Sequence, residues 1–452
     1  MKRFTLALVS LLILFAIQTT LAQDAVAIFN AALADYDAKR YEAAATGFKR
    51  VTELRPNDSA SFLNLGLSYY NLQRYAEALP AFKEATRLKP DYYNAFLYWG
   101  FSEDFLGNSA NAVTAYQRAI ALQPNNPKAR RGLGQSYIVA RKYAEAEKEL
   151  RLAATLDRAD DWTRYQLSRA LYWQNKYGDS LTEVKEAIRL NSSVADYYNL
   201  QGDIYFAAKQ YREAAASFKE SLRLKPGSAV VNYFMGLSYY SLAQYKDAIP
   251  PLREAVRLDP KYYLAWVFLG NAFDYDKRIP EAIAAYQAAM KLKPDEADAY
   301  GELGILYIRS VDYVQAEKYA REAVKRKPDS AVYQRVHGQS LRLLKRYTEA
   351  LVPLLEAVRL DPKYIDGLFE LGACYVGLRN RETVAKKLVA AKGYEAKAHE
   401  IITRLQPLNP AKAQELSDLI TPPTPTPAKT GETAAPPKPA APKASAPKPK
   451  KN

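Results

Sequence analysis

The chain has 452 residues and a formal net charge of +15, with two histidines and one cysteine. So few histidines and a single thiol exclude a histidine or thiolate metal cage and an internal disulfide framework. Lys2 and Arg3 carry +2 and the stretch from Thr421 carries +5, which leaves a diffuse +8 on the body; that excess suits anionic envelope polymers better than nucleic acid in an exported chain.

Residues 1–22, MKRFTLALVSLLILFAIQTTLA, place two basic residues before an apolar run and end on TTLA. This is the layout of a secretory signal peptide, with cleavage expected after Ala22. The mature chain is then periplasmic or secreted and has no membrane span. Retention as an uncleaved anchor is the alternative, although so short an apolar run barely reaches across a hydrocarbon core.

From there the chain repeats itself. Prolines stand at Pro56, Pro90, Pro124, Pro226, Pro260, Pro294, Pro328 and Pro362, every gap being 34 residues or a multiple of 34, with Arg158 and Ser192 in the two vacant slots. Glycines keep the same phase from Gly66 to Gly372, and only Ser168 departs. Tyrosines recur from Tyr41 to Tyr347, each followed three residues later by Ala, except that Ser180 follows Tyr177. A fixed period of this length marks a repeat array. Within one unit, Phe62, Leu65, Tyr69 and Leu72 recur at helical spacing, NLQRY breaks the pattern, and Ala78, Phe82, Ala85 and Leu88 begin a second helix that ends at Pro90. Neither helix has a polar enough opposite face to stand alone, so neighbouring units must stack.

The phased sum of these positions, as in FLNLGLSYYNLQRYAEALPAFKEATRLKP and WVFLGNAFDYDKRIPEAIAAYQAAMKLKP, resembles the tetratricopeptide repeat. The resemblance covers residues 25–392 in ten or eleven units. It implies an all-α, right-handed superhelical solenoid of antiparallel helix pairs, without enzymatic activity. The array weakens at its ends, where Ala32 replaces the glycine and Arg381 and Val384 stand in the usual Tyr and Ala places.

The resemblance also implies that the first helix of each pair lines a concave face, through unit positions two, five, nine, twelve and thirteen when Gly66 is position eight. Those positions hold Tyr70, Phe101, Phe105, Trp162, Tyr165, Tyr172, Trp173, Phe206, Tyr233 and Tyr240, an aromatic groove. The densest stretch is WTRYQLSRALYWQNKY, where Trp162, Tyr165, Arg169, Tyr172 and Trp173 share one face. Aromatic and Arg side chains are the usual anchors of an interface. The repeated GLSYY reads mostly as architecture, with Tyr70 and Tyr240 as its candidates for contact with a ligand. Further on, Arg309, Arg335, Gln339 and Arg342 are expected to make the groove basic and suited to a carboxylate.

No catalytic or metal constellation is found, and no cofactor is expected. His337 and His399 are too far apart for a zinc motif, His337 occupies a slot that is Leu in other units, and Cys374 reads as a small buried residue. Residues 393–420 read as C-terminal capping helices, the last with Asn409 as N-cap and Pro410 in its first turn. Residues 421–452 hold ten Pro, six Lys and no aromatic, so they cannot bury a core and are expected to be disordered. The expected function is a non-enzymatic scaffold of the cell envelope that binds an extended segment of an exported protein, with the basic tail touching anionic cell-wall polymer. The alternatives are a saccharide-binding solenoid and an adaptor for an envelope hydrolase.

Overall fold

The structure is a computed structural model that describes residues 23–421; the expected signal peptide and the tail beyond Thr421 lie outside the described residues. The described residues form helices and no strand, and the chain divides into two compact units at Gln210 and Tyr211. The first unit contains α1 (residues 23–37), α2 (Tyr41–Leu54), α3 (Ser59–Asn71), α4 (Tyr75–Leu88), α5 (Tyr93–Phe105), α6 (Ser109–Leu122), α7 (Pro127–Val139), α8 (Tyr143–Leu156), α9 (Asp161–Trp173), α10 (Tyr177–Leu190) and α11 (Ala195–Ala207). The second contains α12 (Tyr211–Leu224), α13 (Ala229–Ser241), α14 (Tyr245–Leu258), α15 (Tyr263–Tyr275), α16 (Ile279–Leu292), α17 (Asp298–Arg309), α18 (Tyr313–Arg326), α19 (Ala331–Leu343), α20 (Tyr347–Leu360), α21 (Ile365–Val384), α22 (Leu388–Leu405) and α23 (Pro410–Ile420).

Local chemistry sets these boundaries. Proline follows the second helix of a pair, and where a polar residue stands two positions later, as at Asp58, Asn126, Ser228 and Ser330, it caps the next first helix, whereas Tyr92, Tyr262 and Tyr364 make no side-chain cap. Asn126 accepts from the Lys128 amide at 3.1 Å, and Ser228 accepts from the Val231 amide at 3.3 Å. Asp160 does the same for Thr163 at 3.1 Å, so the cap survives where Arg158 replaces proline. Between the helices of a pair, one residue turns the chain in a left-handed conformation: Lys39, Gln73, Gly107, Arg141 and Asn175 in the first unit, Ala243, Lys277, Val311 and Lys345 in the second.

Packing explains the phased glycines. A Cβ at Gly66 would lie 2.5 Å from the Phe82 ring, and one at Gly134 would lie 2.5 Å from Leu150. The small residue lets the second helix press a large side chain against the backbone of the first. Phe82, Tyr116 and Leu150 are fully buried there in the first unit, and Leu252, Tyr286 and Leu354 in the second. First helices of successive pairs touch each other, α3 to α5 to α7 to α9 to α11 and α13 to α15 to α17 to α19 to α21. Second helices do not pack on one another to that extent, so each unit curves with its first helices on the concave side.

The C-terminal end departs from the expected boundaries. Residues 365–384 form one twenty-residue helix that runs through Arg381, where the repeat would turn. A Cβ at Gly372 would meet Leu416 of α23 and Ile401 of α22, so the last glycine is packed by both terminal helices. The boundary expected at 392/393 falls inside α22. The terminal helices do cover the array: Ile401, Leu405, Ala413, Leu416 and Ile420 join Leu368, Leu371 and Cys374 in one buried cluster. Asn409 caps α23, accepting from the Lys412 amide at 3.0 Å with Pro410 at the first turn, as its sequence indicates. Among the described residues no helix is long and apolar enough to cross a membrane.

Candidate functional site

In the first unit the concave face carries two aromatic clusters. The first joins α3 to α5. Tyr70 lies edge-on to Tyr75 at 5.3 Å and to Tyr98 at 5.2 Å, and Tyr75 stacks on Phe105 at 4.4 Å with rings 5° from parallel. Phe101 packs on Tyr98 and Tyr116, both at 5.7 Å. Burial among these rings pushes the Tyr70 hydroxyl up to about 12. Phe105 remains 60 % exposed and offers the open edge of this cluster.

The second cluster is α9. Trp162 and Tyr165 pair at 5.3 Å, the Arg169 guanidinium lies 5.8 Å from the Tyr165 ring centre, and Tyr172 meets Trp173 at 5.3 Å. Sequence offsets of three, four, three and one hold the five side chains on one stripe of the helix. Trp162 is 37 % exposed. Tyr165 is braced from α11 by Tyr197 at 4.9 Å, and the Tyr197 hydroxyl donates to Asp161 at 2.8 Å. Trp173 stacks on Tyr143 at 6.0 Å and Tyr172 leans on Tyr177 at 5.9 Å. Burial raises the hydroxyl pKa of Tyr165 and of Tyr172.

Those stacks reveal a rule of the repeat. The tyrosine that opens a second helix stacks on position thirteen of the following first helix in Tyr75–Phe105, in Tyr143–Trp173 and, in the second unit, in Tyr245–Tyr275 at 4.6 Å. The same tyrosine meets position twelve of its own unit in Tyr70–Tyr75, Tyr172–Tyr177 and Tyr240–Tyr245. Phe105 and Trp173 therefore join neighbouring repeats as well as facing the groove.

Three groove assignments in the second unit need correction. Tyr233 is 1 % exposed, packed by Phe234, Tyr262 and Phe268, and Tyr240 is 8 % exposed among Tyr245, Phe268 and Tyr275. Neither offers a ligand a surface, because large neighbours cover the positions that are open in α9. The expected basic stretch is largely neutralised. Arg309 pairs with Asp274 and covers the Tyr275 ring, and Arg342 donates to Glu370 at 2.7 Å. Arg335 instead donates to the Tyr364 hydroxyl at 3.0 Å and to Gln339 at 2.5 Å, while Gln339 donates to Glu370 at 2.7 Å. Phe206 in α11 is half-buried.

Sequence reasoning passed over the acidic residues of the same faces. Asp104 accepts from Tyr116 and Ser136, both at 2.7 Å. Asp203 and Glu302 are each lifted to about 7 by burial, although Arg309 pulls Glu302 back down. For Asp104 and Asp274 a signal was available: they are carboxylates at position twelve, where Tyr70, Tyr172, Phe206 and Tyr240 stand in other units. His337 is half-buried with Nε2 3.5 Å from Glu317, and burial lowers its pKa. Cys374 is buried, donates to the Tyr347 carbonyl at 3.3 Å and is pushed by burial up to about 12, an unreactive thiol. Among the described residues no group of His, Cys, Asp and Glu is placed to hold a metal ion.

Family models of the tetratricopeptide repeat match residues 23–93, 165–229, 234–297 and 275–339, and a further repeat model of the same kind matches residues 106–138. No curated protein matches the chain. Among solved structures it is similar to YrrB, described as a TPR protein with an unusual peptide-binding site, at 24% identity over 41% of this chain and 95% of that one, with a TM-score of 0.38. It is also similar to yeast Tom70, at 16% identity over 88% of this chain and 99% of that one, TM-score 0.38, and to MamA from Desulfovibrio magneticus RS-1, at 23% identity over 37% and 95%, TM-score 0.36. With family models matching more than half of its length and helix pairs repeating every 34 residues, the chain belongs to the tetratricopeptide repeat family.

Proposed function

We propose that this protein is a non-enzymatic interaction scaffold, exported to the cell envelope, that holds an extended polypeptide against the concave face of its first unit. The repeat fold itself supports a role in protein–protein interaction. The observation that carries the finer reading is the α9 stripe, where Trp162, Tyr165, Arg169, Tyr172 and Trp173 lie side by side with Trp162 open to solvent. From Trp162 to Trp173 the helix rises about 16 Å, a span that about five residues of extended chain cover. Phe105 adds an open aromatic edge on α5. Large rings carry binding area at little rotamer cost, and the flanking stacks hold them in place before a ligand arrives.

Cross-linking in intact cells followed by purification of the tagged full chain tests the setting. Exported proteins joined through peptides of α5 and α9 are the expected outcome. Cross-links confined to cytoplasmic proteins, or to the convex side alone, would contradict the proposal.

A further inference from the structure

We propose that the tip of the α21–α22 hairpin docks on an anionic lipid bilayer, with Val384, Leu388 and Val389 entering the headgroup boundary and the neighbouring lysines meeting the headgroups; this does not depend on the groove reading above. The tip exists because the last helix pair turns late. Earlier first helices of the second unit run for twelve or thirteen residues, whereas α21 runs for twenty. The left-handed residue that turns the chain at Lys277, Val311 and Lys345 keeps the 34-residue period and is due next at Arg379, but it falls at Lys386. The seven added residues, two helical turns, carry the hairpin about 10 Å past the level at which the neighbouring pair turns. Gly377 marks that level: it stands at position thirteen, and a Cβ there would meet the Tyr347 ring.

Every residue from Thr383 to Ala390 is exposed, and burial resumes at Ala391. Val384 is 84 % exposed, Leu388 63 % and Val389 89 %. Single exposed aliphatics are ordinary, but three gathered at the end of a projection form a patch that calls for a partner. The hairpin is braced below its tip. Tyr375 and Tyr394 stack across the two helices at 6.3 Å, and Arg381 donates to Thr348, at the start of α20, at 3.1 Å.

Charge selects the partner. Residues 379–397 hold six cations and two carboxylates. Glu382 is buried and shared by Arg381 at 2.8 Å and Lys387 at 3.8 Å. Among the described residues no ion pair reaches Lys386 or Lys392, which are exposed on either side of Leu388 and Val389 in sequence. An occupant must therefore take hydrocarbon and ammonium groups within the same turn of helix. A protein groove would have to bury those ammonium groups against matching carboxylates, and lysine is depleted at the centre of protein interfaces. A bilayer accepts both: the aliphatic side chains enter the acyl boundary while the lysine stems extend along it and place their charges among anionic headgroups. A projecting tip also suits a yielding surface, since it has no concavity with which to hold a peptide.

The test mixes the full chain with vesicles of phosphatidylglycerol and phosphatidylcholine, and separately of phosphatidylcholine alone, and measures binding by sedimentation. Preference for the anionic vesicles is expected. Binding should weaken roughly tenfold or more in the variant Lys386→Gln, Lys387→Gln, Lys392→Gln and by a similar factor in Leu388→Ser, Val389→Ser, with the helical circular dichroism unchanged. An environment-sensitive dye on Val389→Cys, in a Cys374→Ala background, should shift to the blue on anionic vesicles. The same dye on Val139→Cys, an exposed valine of the first unit, should not. No binding to anionic vesicles, binding unchanged in either tip variant, or a dye on Val389→Cys that stays in water would overturn the proposal. So would polyglutamate bound as tightly as the vesicles and lost in the lysine variant alone, because the partner would then be an acidic polymer.

Discussion

Ser168 and Ser180 hold each other across the α9–α10 crossing. Each hydroxyl donates to the other residue's carbonyl at 2.8 Å, the two Oγ atoms lie 2.9 Å apart, and both residues are fully buried. They are the two positions where this unit departs from the glycine and alanine of its neighbours, and the departures are one change. A hydroxyl at either site alone would have a poorer set of partners in a dry crossing. Removing one, as Ser168→Gly or Ser180→Ala, should cost about 1 kcal/mol. The double variant restores the combination seen in Gly66 with Ala78 and should cost less than the sum of the singles by about 0.5 kcal/mol or more. Urea unfolding of the four proteins measures this; strict additivity would contradict it.

Val311 bears the left-handed turn between α17 and α18 at φ 66, a conformation disfavoured for a β-branched residue. Gly107 fills the equivalent turn of the first unit at φ 79. Val311 is 67 % exposed, so a polar replacement loses little packing. Val311→Asn should raise stability by about 0.5–1 kcal/mol, read as a higher urea midpoint. A lower midpoint would show that the turn depends on the valine side chain.

Asp203 and Glu302 give the native protein an acidic bias. Both carboxyls titrate at about 7 when folded, above the unfolded values near about 4. Between these limits the native state keeps protons that the unfolded chain has released, so their contribution to stability falls as pH rises through the window and the penalty is complete above it. Asp203→Asn and Glu302→Gln should each flatten the decline in stability from pH about 5 to pH about 8. A steeper decline in either variant would contradict the assignment of raised values.

Cys374 should resist thiol reagents while the C-terminal cluster is folded, since burial keeps the thiol protonated and it belongs to the same buried cluster as Leu368, Leu371 and Leu416. Its labelling rate should rise with denaturant in step with loss of helical signal. Rapid labelling of the native chain would show that α22 and α23 open readily.

Much of the architecture was legible because punctuation repeats with it. Proline ends a helix for backbone reasons, a Ser, Asp or Asn two places on, as at Asp58, Asn126, Ser228 and Ser330, caps the next, and glycine marks a crossing that Phe82 or Leu150 fills. The C-terminal end was less legible: the helix runs on through Arg381, and Ile401 of α22 and Leu416 of α23, both outside the regular period, pack against Gly372. For the site, helical spacing placed the α9 aromatics on one face. It could not separate Tyr165 from Tyr233, which share position five, because exposure depends on neighbours such as Tyr262 and Phe268. Charge was misread for the same reason, since Asp274 and Glu370, which neutralise Arg309 and Arg342, come from adjacent first helices 35 and 28 residues away in sequence.

The central claim is that the α9 stripe binds extended polypeptide, and the most direct measurement is peptide affinity. Peptides selected from a random displayed library on the full chain are labelled and titrated by fluorescence anisotropy against the wild type and the triple variant Trp162→Ala, Tyr165→Ala, Tyr172→Ala. The account predicts a loss of about a hundredfold or more with the helical circular dichroism unchanged. Equal affinity for the folded variant, or a library that yields no binding peptide, would contradict it.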